Sequence, residues 1–340
     1  MDQAHRQRSY AVRVDWGLDG ATAIAEGADV AVVVDVLSFT TTLSVALDVG
    51  TAVLPYRWDD DSAAAFAQEQ DATLAVGRSA AGPGPGPGQI SVSPVTLRAA
   101  PAPDRLVLPS PNGSTICWHL AAITPVCLGA SLRNATAVCD WVASHHDPAT
   151  TTVAVVAAGE RWASTGLRPA VEDLWGAGLV VDQLARLGWA ATSPEATAAR
   201  AAWLATAHRV PEALLACASG RELVDKGYRA DVEIAAEVDT SQSVPLLSGL
   251  TFRHAGTDEV WQQPTIVIRT LAPVLVRDVV AAIWLRRGRH LPLQDAHWDS
   301  PSWPHGPHYI RPVLNATDET LRADEQRAAL LRCFCTSGQR

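Results

Sequence analysis

The sequence predicts a layered α/β/α fold built on a largely parallel or mixed sheet, and three observations predict it. Apolar, β-rich runs recur along the chain, Ala-rich or amphipathic stretches of helical length lie between several of them, and polar residues interrupt the pattern where the apolar runs end. Strands alternating with helices form βαβ units around a sheet covered on both faces.

The first extended run is Ala31 to Val34, followed by a helical stretch at Thr40 to Asp48 and a strand at Ala52 to Leu54. AGPGPGPG, from Ala81 to Gly88, is neither helix nor ladder, since Pro lacks a donor and Gly lacks rigidity. It reads as a connector or a mobile lid, and QISVSPVTL, from Gln89 to Leu97, is expected to resume extended structure. Strands follow at Arg105 to Leu108, Ile123 to Leu128 and Thr151 to Ala157, with helices at Asn134 to Ser144, Val171 to Arg186 and Ser193 to Ala207. One more strand is expected at Thr265 to Ile268.

After about residue 252 the composition changes. Leu291 to Tyr309 is dense in Trp, His and Pro, and Glu319 to Arg332 reads as one amphipathic helix. His297, His305 and His308 suit either a metal site or a packed surface arm. The expected organisation is an α/β domain over residues 1–252 and a C-terminal extension over 253–340, without internal repeats. An oligomerisation or lid element, and hence a homo-oligomer, is one use such an extension has.

The chain has 340 residues, 48% hydrophobic and 19% charged, enough to bury a substantial core. Its formal net charge is -9 and no basic face is interleaved with aromatics, which argues against nucleic acid as a partner. Small anionic substrates stay compatible with that charge, because local donors or a metal reverse the local field. No apolar run reaches the roughly 18 residues of a membrane span, and MDQAHRQRSY carries no secretory signal. Six cysteines without a CxxC pair or a nearby His at zinc spacing read as free thiols in a reducing cytosol, so a cytoplasmic protein is expected.

Four polar islands sit where strands should end. Asp35, with Ser38 and Thr40 to Thr42, follows the first strand; such an acid either caps the next helix or holds a hard cation. Ser110 to Thr115, SPNGST, joins a strand to a helix start, and is either an ordinary capped turn or an anion cradle of Ser/Thr hydroxyls and free backbone N–H groups. It lacks the GxxxxGK[ST] pattern of a nucleotide loop. In AAGER, Ala157 to Arg161, a buried strand ends in Gly159 and then Glu160, a place where a charge is commonplace. Glu172 and Asp173 open a helix, where they either meet the helix dipole or, with Asp35 and Glu160, supply oxygens to Mg²⁺. Together the islands suggest an acidic metal pocket facing an anion cradle, a combination suited to phosphoryl transfer or hydrolysis.

Asp35-Val36-Leu37 before a Thr-rich turn, Asn112-Gly113-Ser114-Thr115, Leu132-Arg133-Asn134, Ala158-Gly159-Glu160 and Glu172-Asp173 with Ala177-Gly178 together resemble, in that order, the 2-phosphosulfolactate phosphatase family. LVDKGYRADV, from Leu223 to Val232, and Val244-Pro245 continue the resemblance, which spans about residues 28 to 250. It implies that family's α/β fold, Mg²⁺ dependence, and hydrolysis of 2-phosphosulfolactate to sulfolactate and phosphate on the route to coenzyme M. Asp35, Glu172 and Asp173 then become metal ligands or water activators, Glu160 a further metal ligand, and Asn112, Gly113, Ser114 and Thr115 the phosphate or sulfonate cradle, with Asn134 also on the substrate side.

Two departures stand out. The family motif resembles DVLRAT, with Arg where this chain has Ser38, and Gly-Glu where it has Gly77-Arg78. Arg clamps an anion bidentately and Ser does not, so Arg78 is a candidate replacement for the missing charge. A Mg²⁺ phosphatase acting on this or a related small phosphorylated acid is the expected function. The rival is a catalytically impaired homologue that binds a small anion or a partner, and a phosphate-handling transferase is a third reading.

Overall fold

VAVVV, from Val30 to Val34, is buried along its whole length, which only a central strand in a sheet covered on both faces permits. In the computed structural model of the chain, residues 2–57, 61–78, 90–163 and 166–256 are described, with the backbone of 298–299 and 311–312. The strands are β1 Val12–Trp16, β2 Val30–Val34, β3 Ala52–Tyr56, β4 Thr73–Leu74, β5 Arg105–Pro109, β6 Val126–Ala130, β7 Val153–Ala157, β8 Glu160–Arg161, β9 Leu167–Arg168, β10 Pro245–Ser248 and β11 Thr251–His254. The helices are α1 Gly17–Ala25, α2 Phe39–Asp48, α3 Asp61–Glu69, α4 Pro94–Ala99, α5 Gly113–Leu120, α6 Ala135–His145, α7 Val171–Arg186, α8 Pro194–Thr206, α9 Val210–Ala216, α10 Ala218–Asp225 and α11 Arg229–Ala235.

Nine strands form one mixed sheet in the order β1-β7-β2-β6-β10-β11-β3-β5-β4, while β8 and β9 pair with each other. β1, β7, β2 and β6 are mutually parallel, as are β3, β5 and β4. The antiparallel hairpin β10–β11 joins these two halves, β10 against β6 and β11 against β3. Because β2 runs in one half and β3 in the other, their connection crosses the point where strand order divides, the usual place for a ligand crevice in an open α/β sheet.

Side chains alternate across the sheet. Ala31, Val33, Ala154, Val156, Leu106 and Leu108 share one core with Ile24, Phe39, Leu43, Ile116 and Leu120 of α1, α2 and α5. On the other face α7 approaches so closely that a Cβ on Gly176 would lie 2.6 Å from Val34. Each fully buried Val or Leu contributes roughly 1.5–3 kcal/mol, so these two layers hold the strand tips in place.

Several expectations need correction. The strand expected at Ile123 begins at Val126, because the Ile123 and Thr124 N–H groups still close the end of α5 on the Leu120 carbonyl. The extended structure expected through SVSPVTL gives way to α4, since Pro94 suits a first helical turn and the Thr96 hydroxyl donates to the Ser93 carbonyl at 2.8 Å. β1, α1 and the β10–β11 hairpin lay outside the expected elements. The segment Ala81 to Gly88, the strand at Thr265 to Ile268, the three histidines and the helix at Glu319 to Arg332 lie outside the described residues.

The chain divides into two compact units, Met1–Glu259 and Val260–Arg340. In the second, Trp298–Asp299 pairs antiparallel with Arg311–Pro312. Cys117, Cys127, Cys139 and Cys217 are free and buried. No helix among the described residues is long and apolar enough to cross a membrane.

Candidate active site

The carboxyl ends of β2, β4, β5 and β7 surround a cavity of about 190 Å³. Its walls come from Asp35 and Leu37 to Phe39 after β2, Arg78 after β4, Val92 before α4, Leu108 to Asn112 at the end of β5, and Glu160 after β7. A space of this size takes only a small substrate.

Asp35 answers the question a buried acid raises by accepting backbone N–H groups from two helix starts. Its Oδ1 accepts from Phe39 at 3.1 Å and its Oδ2 from Gly113 at 2.9 Å. The positive ends of α2 and α5 thus converge on one carboxylate. Burial still dominates and pushes the Asp35 carboxyl up to about 6, against these two N–H donors and the nearby Arg78. Gly113 is required there: a Cβ would stand 2.6 Å from Asp35 Oδ2 and 2.6 Å from the Phe39 ring.

Glu160 sits across the cavity and accepts from the Asn112 side-chain amide at 2.9 Å. Burial first, then repulsion from Asp35 and Glu172, pushes its carboxyl up to about 7, with Arg168 acting in the opposite direction. Gly159 delivers it with φ 67°, and any Cβ there would meet Leu167 at 2.7 Å.

Asp173 is tied to the backbone at two points. Its two oxygens accept the N–H groups of Val36 at 2.7 Å and Gly159 at 2.8 Å, joining the tips of β2 and β7 just beside Asp35 and Glu160. Its carboxyl is pushed well above the ordinary range by burial and then by Asp35 and Glu172. Glu172 is buried beside it in the first turn of α7, near the Cys217 thiol, which burial and then the Glu172 charge push up to about 12.

Of the expected site residues, the structure brings Asp35, Ser38, Arg78, Asn112 and Glu160 to the cavity. Glu172 and Asp173 are not among the residues lining the cavity; they lie buried at the start of α7, close enough for the Glu172 charge to raise the Asp35 and Glu160 carboxyls. The expected cradle is also largely spent internally. Gly113 gives its N–H to Asp35, the Ser114 hydroxyl donates to the Leu108 carbonyl at 2.8 Å, and the Thr115 hydroxyl lies 3.2 Å from the carbonyls of Ser110 and Arg57. Asn134 belongs to the β6–α6 turn, where it accepts the Ser131 N–H at 2.8 Å and donates to the Ser243 carbonyl at 3.0 Å. Its neighbour Arg133 is buried and pairs with Asp48 at 2.9 Å and with Glu237. Sequence reasoning did not single out Asp231 of α11, which holds Arg78 at 3.0 Å, although it falls within the stretch Leu223 to Val232 that carries the family resemblance; its partner lies 153 residues away, which no local pattern records.

The donor set bears on the expected Mg²⁺. Among the described residues no group of three or more His, Cys, Asp or Glu side chains forms an all-protein metal cage. Mg²⁺ commonly needs less, taking one or two carboxylates with waters and substrate oxygens. Asp35 and Glu160 fit that smaller requirement, since both line the cavity and the Asp35 charge adds to burial in raising the Glu160 carboxyl, against the opposing charge of Arg168.

The profile of the 2-phosphosulpholactate phosphatase family matches residues 21–249. A probable 2-phosphosulfolactate phosphatase of Thermus thermophilus is 34% identical over 223 residues, 65% of this chain and 89% of that protein. Proteins of the same description from Parasynechococcus marenigrum and Deinococcus radiodurans are 33% and 31% identical, over 64% of this chain and 88% of each relative. The matched span contains every cavity residue and all the sheet strands except β1 and the hairpin strand β11, and over it the chain belongs to the 2-phosphosulpholactate phosphatase family.

Proposed function

We propose that this chain is a Mg²⁺-dependent phosphatase that hydrolyses 2-phosphosulfolactate, or a closely related small phosphorylated acid, to the hydroxy acid and phosphate. The observation that carries the reading is the small cavity at the strand tips in which Asp35 and Glu160 face Arg78. Family membership supports the same chemistry. The reading takes in a route to coenzyme M, as the family resemblance implies, and a cytoplasmic protein, as the pattern of unpaired cysteines suggests.

In this reading Asp35 and Glu160 hold the metal. The ion supplies electrophilic stabilisation of the phosphoryl oxygens and a more acidic water. The chain's own residues do the rest. Phe39 and Gly113 fix both oxygens of Asp35, and Asn112 orients Glu160. Asp173 holds the two strand tips that carry them. Preorganised groups of this kind need no rearrangement as charge develops, which is where such sites gain most of their rate.

The test is phosphate release from racemic 2-phosphosulfolactate and a panel of small phosphorylated acids, with Mg²⁺ and with chelator. Chelator-sensitive turnover that falls by roughly 100-fold or more in Asp35→Asn is expected. A folded protein silent across the panel, yet stabilised by sulfate or phosphate, would favour the anion-binding homologue instead. The internally spent cradle at Gly113 to Thr115 is the observation that keeps this second reading in view.

A further inference from the structure

A phosphorylated acid brings several negative charges to a cavity whose walls already carry Asp35 and Glu160. Some group must hold an oxyanion there, and the sequence nominates the turn at Asn112 to Thr115. Much of that turn is already engaged: the Gly113 N–H and the hydroxyls of Ser114 and Thr115 are turned to protein acceptors, and the Asn112 amide serves Glu160, so it offers backbone dipoles and no charge. Among the described residues lining the cavity, Arg78 is the one cation.

Its mounting is specific. Arg78 Nε donates to Asp231 Oδ2 at 3.0 Å, and that carboxylate is itself buried and accepts from the Ser93 hydroxyl. The Tyr228 hydroxyl donates to the Arg78 carbonyl at 2.7 Å, and the guanidinium carbon lies 5.8 Å from the Tyr228 ring centre. With Nε engaged behind it, the forked end of the guanidinium reaches Ser38 at the start of α2, the position where the family resemblance puts an arginine. A small residue at 38 leaves room for an arginine arriving from β4, and a planar fork held from behind is preorganised for bidentate contact with an oxyanion.

We propose that Arg78 is the oxyanion clamp of this cavity and that Asp231 is its positioning residue. For the identity of the substrate the proposal rests on the phosphatase reading above; the clamp itself does not. The clamped group is a phosphoryl, sulfonate or carboxylate oxyanion of the substrate.

The experiment compares the full-length wild type with Arg78→Met, Arg78→Lys, Asp231→Asn, the Arg78→Met/Asp231→Asn double variant and Arg161→Met, each checked for a native melting transition. Turnover of 2-phosphosulfolactate and of p-nitrophenyl phosphate is measured with Mg²⁺, and thermal stabilisation is measured with sulfate alone. Arg78→Met is expected to raise KM for 2-phosphosulfolactate at least about tenfold, the scale of one lost charge-assisted hydrogen bond, with partial recovery in Arg78→Lys. Asp231→Asn should raise KM with little change in kcat, and should add nothing further in the double variant. An equal rise for p-nitrophenyl phosphate would assign the clamp to the phosphoryl group, whereas an effect confined to 2-phosphosulfolactate would assign it to the acid group; either supports the clamp. Unchanged KM in folded Arg78→Met, or a rise produced only by Arg161→Met, whose guanidinium lies against Asn112 Oδ1 and the Pro111 carbonyl, overturns it. If the wild type turns over nothing, the phosphatase reading fails separately: sulfate stabilisation lost in Arg78→Met still supports the clamp, and stabilisation retained there overturns it.

Discussion

At the scale of single residues the site is a sorting of four carboxylates that the sequence places together and does not rank. Asp35, Glu160, Glu172 and Asp173 all sit where apolar runs end or a helix begins. Which of them face the cavity depends on N–H groups delivered by other strands, and no local pattern records that. Asp173 spends both oxygens on the N–H groups of Val36 and Gly159, so Asp173→Asn would set an amide N–H₂ against one of those donors. We expect a loss of about 1–3 kcal/mol in denaturant unfolding, with reduced turnover because both strand tips shift. Glu160→Gln should behave in the opposite sense for stability. The Glu160 carboxyl lies near 4.5 when unfolded and is pushed up to about 7 in the fold, so the folded metal-free protein binds its proton more tightly. Its contribution is therefore most favourable below about pH 4.5 and is lost as pH rises through about 7, and Asp35, raised from 3.8 to about 6, acts in the same direction. Chelated wild type should lose stability between roughly pH 5 and 7, and Glu160→Gln should flatten that slope and gain on the order of 2 kcal/mol at pH 7.5 while losing Mg²⁺-dependent turnover. A slope unchanged by the substitution would rule out Glu160 as the strained acid.

Elements carry the next level of constraint, and here the sequence is more legible. The periodicity that announces Val171 to Arg186 coincides with α7 from end to end, and those for α2, α6 and α8 miss by a residue or so. What escaped notice had a tertiary cause. β1, reading VRVDW, looks like a polar N-terminal stretch until Arg13 is seen buried, donating to the Ile24 carbonyl at 3.1 Å and the Tyr10 carbonyl at 3.2 Å around α1. β10 opens on Pro245, which argues against a central strand by itself. The start of α5 was legible as a turn and a helix start, but not as a carboxylate seat. Because a Cβ at position 113 would stand 2.6 Å from Asp35 Oδ2, Gly113→Ala must move either α5 or the acid. A destabilisation of roughly 1–3 kcal/mol is expected from such overpacking. Turnover should fall further than the melting temperature alone explains, since Asp35 loses its seat; full turnover in a folded Gly113→Ala protein would refute this role for the α5 start.

For the whole molecule, the decisive feature is that the two parallel halves of the sheet meet only through a hairpin supplied late in the chain. Leu246 of β10 pairs with Leu128 of β6, and Phe252 of β11 pairs with Val53 of β3. Phe252 is fully buried, with its ring centre 6.3 Å from that of Phe39, directly after the Ser38 position at the cavity. The cavity therefore depends on residues close to the end of the family match at position 249 and beyond it. Every strand of the nine-stranded sheet and every described cavity residue lies before residue 256. A chain ending after Gly256 is accordingly expected to unfold in one cooperative transition and to release phosphate at the full-length rate. A chain ending at Ser243 lacks β10 and β11, leaves β6 and β3 as open edges and strips Phe39 of its partner. It should show no cooperative transition in urea and no turnover. If the chain ending after Gly256 folded but lost activity, the extension would have to act on the cavity directly; if the chain ending at Ser243 stayed cooperative, the hairpin would not be what unites the sheet.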